Sequence, residues 1–180
     1  ENESNGYLYN GLAWTPRAIW HAPPQQLIIG TRRGSYKYIA YSDVTGDWRE
    51  MAMHPDMGRW TERTAHYYGM IAQDGASQIY LGHTLSPMFR LGPEVEVWTR
   101  IADHLVTNGS NGSMLAWSSA ANALYKYSGN AQRFLQYDPG TDAWTLLASS
   151  IGNGEHALME YNHAADRFLI VGGTDTSSRA

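Results

Sequence analysis

The chain has 180 residues, 17 acidic side chains against 13 basic ones and a formal net charge of −4, so it lacks the cationic surplus that non-specific binding to nucleic acid or anionic lipid requires. Its cysteine count is 0, which excludes disulfides, thiolate metal sites, Fe–S clusters and a cysteine nucleophile. Charged residues are sparse at 17%, while Trp (7) and Tyr (12) are abundant, and no apolar run reaches the roughly 18–20 residues of a membrane-spanning helix.

In chain order the sequence reads as short strands punctuated by turns. Leu27-Ile-Ile-Gly30 predicts a strand buried on both faces, and Tyr36-Lys-Tyr-Ile-Ala-Tyr41 a second strand. The turn Ser42-Asp-Val-Thr-Gly-Asp47 follows, and Trp48 opens another strand. The cycle then recurs: Gly69-Met-Ile-Ala72, the turn Asp74-Gly-Ala76, Ile79-Tyr-Leu-Gly82, and Leu91 leading to Trp98. It recurs again as Ser113-Met-Leu-Ala-Trp117, Leu124-Tyr-Lys-Tyr-Ser128 and Arg133-Phe-Leu-Gln-Tyr137, with Pro139-Gly140 in the turn before Trp144. A fourth cycle starts with His156-Ala-Leu-Met-Glu-Tyr161 and Phe168-Leu-Ile-Val-Gly-Gly173. No stretch carries sustained 3.6-residue apolar periodicity with caps, so no long helix is expected.

Trp48, Trp98 and Trp144 lie about 46 to 50 residues apart, interleaved with strands ending at glycine or serine on a similar period. Four short strands per period predict an all-β chain, a β-propeller of four-stranded antiparallel blades with about four blades present. The blades are expected at 17–52, 64–103, 112–149 and 155–180. The last would be completed by residues 1–16 or by sequence outside this chain, the latter being favoured because Arg17 follows Trp14 too closely for a normal inter-blade loop. A single blade exposes two apolar faces, so each must stack on a neighbour. Remaining blades of a larger propeller, or another copy of the chain, are therefore expected partners.

The unit Tyr137-Asp-Pro-Gly-Thr-Asp-Ala-Trp144, followed by Phe168-Leu-Ile-Val-Gly172-Gly173, resembles a Kelch repeat of the galactose oxidase and Kelch-like propellers. The likeness runs over about residues 17 to 173. It departs from the pattern at Leu91, in place of tyrosine, and at Thr31, His83 and Ser128, each in place of one glycine of a pair. In that reading Trp48, Trp98 and Trp144 are structural wedges between blades, and Gly172 and Gly173 allow close backbone approach.

The chemistry-bearing motifs are few. Gly-x-Gly-x-x-Gly, Gly-x-Ser-x-Gly and His-Glu-x-x-His are absent, so no cofactor and no metal site is assigned. His66 and His156 occupy equivalent repeat positions, two blades apart, too far for joint ligation without a narrow channel. The resemblance implies that the inter-blade loops and those after the glycine strand form a binding face around the channel. There stand Arg32, Arg33, Arg59, Trp60, Arg63, His104, Asn108 and Asn111, of the residue types that anchor interfaces and fork onto carboxylates. The expected function is a non-catalytic module for a protein or glycan ligand rather than an enzyme. A mutarotase- or lyase-like carbohydrate enzyme and a structural segment of a fibre, adhesin or virion are the alternatives. The Trp/Tyr-rich, lysine-poor, cysteine-free composition fits an exported, extracellular protein.

Overall fold

The structure, a computed structural model, describes residues 18–21, 25–30, 38–52, 70–82, 88–92, 97–104, 113–129, 131–150 and 158–171. Strands β1 (Ala18–His21), β2 (Gln26–Gly30), β3 (Tyr38–Ser42) and β4 (Trp48–Glu50) form one sheet. Strands β5 (Met70–Gln73), β6 (Ile79–Gly82), β7 (Phe89–Leu91) and β8 (Trp98–Arg100) form the second. The third contains β9 (Ser113–Ser118), β10 (Ala123–Ser128), β11 (Arg133–Asp138) and β12 (Ala143–Ser149), and β13 (Leu158–Asn162) pairs with β14 (Arg167–Val171). Every pairing is antiparallel between strands consecutive in sequence, and the described residues contain no helix.

The tryptophans fix a common frame. Trp48 lies opposite Tyr41, Trp98 opposite Leu91, and Trp144 opposite Tyr137. One strand further in, those partners face Leu27, Ile79 and Leu124. Two residues along, the matching positions are Ile29, Leu81 and Lys126.

Side chains on a strand alternate between faces, and each face is buried against a different neighbour. Ile28, Ala40 and Met51 of the first sheet pack with Ile71, Ile79, Leu81, Phe89, Leu91 and Trp98 of the second. The opposite face of the second, through Tyr80, Met88 and Ile101, meets Leu115, Trp117, Leu124, Leu135, Tyr137 and Trp144 of the third. The third sheet's other face, with Met114, Ala116 and Tyr127, meets Met159 and Tyr161. The first strands β1, β5, β9 and β13 neighbour one another in that order. Sheets stacked in sequence with their first strands innermost make a β-propeller, and β9 is buried along its whole length, as an axial strand should be.

The turns joining the first strand of a blade to the second, or the third to the fourth, open with a capping side chain. Ser42, Asp74, Ser118, Asp138 and Asn162 each accept from a backbone N–H two or three residues on. Several of these turns close on a left-handed residue: Asn122, Asp142 and Asp166 have φ of 48°, 50° and 47°, a region that Asn and Asp tolerate better than other non-glycine residues. The tyrosine hydroxyls of Tyr80, Tyr137 and Tyr161 donate to Asp74, Asp142 and Asp166, tying each turn to its strand.

At the two extremes of the described stack the apolar faces are uncovered. Trp20 on β1, and Leu169 and Val171 on β14, are exposed. Trp48 is half-buried, whereas Trp98 and Trp144, each facing a preceding sheet, are buried.

Candidate functional site

Strands β2, β6, β10 and β14 finish at the end of their sheets where β1, β5, β9 and β13 begin. From this loop end depart the connections 31–37, 51–69, 83–88, 101–112 and 150–157, while the opposite end carries tight turns such as 119–122, 139–142 and 163–166. Long connections on one end of a rigid scaffold are where binding groups collect. Arg32, Arg33, Arg59, Trp60, Arg63, Asn108 and Asn111 belong to those connections and lie outside the described residues, as do His66, His156, Gly172 and Gly173.

His104 is described, and it is 8% exposed. Its ring stands edge-on to Trp144 at 6.3 Å between centroids. The chain leaving β8 runs against the outer strand of the third blade, where Ala102 meets Trp144 and Asp142. His104 therefore packs against the blade wedge.

Beneath the loop end the structure holds polar groups that pattern reading did not single out. Ser113 and Ser128 are paired in register, fully buried, with their hydroxyl oxygens 3.4 Å apart. Ser128 closes strand β10. Lys126, two residues before it on the same face, is 0% exposed. Burial holds its amine well below the ordinary lysine pKa. The signal was in the sequence: a lysine inside a strand otherwise apolar or aromatic on both sides.

Two more clusters sit at the turn end. Arg49 donates to Gln26 Oε1 at 2.7 Å, and Gln26 Nε2 lies 3.2 Å from His21 Nδ1, all at the boundary between first and second blades. His21 is buried, and desolvation lowers its pKa despite a raising backbone contact at Ser77. Ser119 Oγ lies 2.8 Å from His163 Nδ1, linking the exposed turns of the third and fourth blades. Among the described residues no three His, Asp or Glu side chains gather as metal ligands, and no helix is long and apolar enough to cross a membrane.

The chain matches no protein-family model and no curated protein sequence. Solved structures do resemble it. Virginiamycin B lyase from Staphylococcus aureus superposes with a TM-score of 0.61 at 11% identity over 86% of this chain and 47% of the lyase. A structural genomics protein of unknown function from Bacteroides thetaiotaomicron gives 0.64 at 14% identity, over 89% of this chain and 43% of that one. An auxiliary nutrient binding protein from the same organism gives 0.60 at 11% identity, over 85% and 44%. The chain thus spans less than half the length of each of these structures. At such identities the likeness speaks for the fold alone, and with the stacked antiparallel sheets it identifies the chain as β-propeller blades.

Proposed function

We propose that this chain is a non-catalytic binding module whose loop end presents a face to a protein or glycan ligand. The carrying observation is the asymmetry of the blades: one end is finished by self-capped turns, and the other bears the long connections that hold the arginine- and asparagine-rich segments. A nutrient binding protein among the structures of like fold is in keeping with this reading. We also retain the Kelch resemblance as part of the proposal, supported by the Tyr137-to-Trp144 unit, and an exported setting, supported by composition.

The test is a glycan array run beside a sugar-turnover assay on the same protein. Binding without turnover, weakened by Arg32→Ala with Arg33→Ala, is the expected result. Turnover of a bound sugar would replace the module with an enzyme, and silence in both assays would favour a structural segment.

A further inference from the structure

The position held by Lys126 is aliphatic in the other blades. Measured from the tryptophan frame, its counterparts are Ile29 and Leu81. Counting from the left-handed turn residues Asn122 and Asp166, the fourth-blade counterpart is Ile170. The fold is thus built with a hydrocarbon side chain here and draws no packing advantage from an amine. Among the described residues Nζ of Lys126 has no hydrogen-bond partner. Its flanking neighbours across β9 and β11 are Leu115 and Leu135, which cannot accept a proton. An unpaired ammonium in such surroundings costs several kcal/mol, a penalty removed by shedding the proton. The depressed pKa of the buried amine agrees with that outcome. Beside it, toward the loop end and on the same face, stand the buried hydroxyls of Ser113 and Ser128. A neutral amine in apolar surroundings is the form in which lysine attacks carbonyl carbon.

We infer that Lys126 is a nucleophilic amine that holds a small aldehyde or ketone as an imine between the second and third blades. The Nζ lone pair adds to the carbonyl carbon, and the C=O π pair moves to oxygen. An N–H proton passes to that oxygen, giving a carbinolamine. The C–O bond then breaks as the nitrogen lone pair forms C=N, the second N–H proton passes to the departing hydroxyl, and the oxygen leaves as water. No electrons are gained or lost overall, and water is the by-product. Ser113 and Ser128 supply hydroxyls that hydrogen-bond the departing oxygen. None of this draws on the loop-end segments, so it stands or falls separately from the binding-module reading.

The experiment treats the folded protein at about pH 7 with propanal and sodium cyanoborohydride, which reduces any imine to a stable propylamine. Peptide mass mapping over time compares Lys126 with Lys37, the other lysine of the chain. Lys126 is expected to gain its propyl group about tenfold faster or more, since each unit of lowered pKa raises the neutral fraction about tenfold. Lys126→Met, which restores the side-chain class of the other blades, is expected to fold and to lose this label. A Lys126 rate equal to or below that of Lys37, or labelling of Lys126 confined to protein unfolded in urea, would overturn the inference.

Discussion

Trp144 and Ala102 are bound across a blade boundary. The indole Nε1–H donates to the Ala102 carbonyl at 2.9 Å, while the Ala102 N–H donates to Asp142 Oδ1 at 2.8 Å. One residue of the second blade is thus gripped at both backbone groups by the third. Trp144→Ala removes the grip's donor and its apolar wedge together, and about 3–5 kcal/mol of stability is expected to go with them. Trp144→Phe keeps most of the ring area and loses the donor, for about 1 kcal/mol. Urea unfolding followed by circular dichroism measures both, and a wild-type midpoint for the alanine variant would refute the wedge.

Asp142 does three things at once: it accepts from Ala102, accepts from the Tyr137 hydroxyl, and adopts φ of 50°. Asp142→Ala loses both hydrogen bonds at a backbone angle alanine dislikes, for about 2 kcal/mol. Asp142→Asn retains an acceptor oxygen and tolerance of that angle, so its melting temperature is expected to lie much nearer wild type. Equal losses in the two variants would show that neither feature matters.

The first blade boundary is expected to be sensitive to mild acid through His21. Its folded pKa is lowered, chiefly by desolvation, so the unfolded chain binds the proton more readily. The contribution is full above the unfolded value of about 6.5 and is lost as pH falls below it toward the folded value. Arg49, held through Gln26, adds a positive charge on the same side. Thermal melts at about pH 7 and pH 5 are expected to show a larger drop for wild type than for His21→Gln. Parallel curves would remove His21 from the account.

Lys126→Met is expected to stabilise the protein by about 1–3 kcal/mol near pH 7, because a polar group without a partner leaves the interior. Since the folded pKa of Lys126 lies below its unfolded value, the penalty diminishes as pH rises toward the unfolded value of about 10.4. The advantage of the methionine variant should therefore shrink between about pH 7 and pH 10. A constant advantage across that range would mean the amine does not titrate on unfolding.

The fold was legible because the blade is a repeated solution to one packing problem. Trp48, Trp98 and Trp144 begin or nearly begin the fourth strand of each blade, and the glycine or serine endings fall where β2, β6 and β10 stop. Capping at Asp138 follows the same logic: a short side chain beside Pro139-Gly140 has few other uses in a turn. The site was less legible. His104 sits in an inter-blade connection, and nothing local revealed that the chain leaving β8 leans on the next blade's tryptophan. Lys126 was hidden differently. In a strand covered on both faces no polar–apolar alternation exists, so a charged residue there gives no sign of which way it points.

Each core cluster is shared by two successive blades, so cohesion passes along the arc like coupling between adjacent links. Among the described residues the second and third sheets each pack on two neighbours, while the β13–β14 hairpin meets the third through Met159 and Tyr161 and through Phe168 against Tyr125 and Phe134. Within the described stack, loosening one boundary is therefore expected to free the sheet beyond it while the other boundaries stay packed.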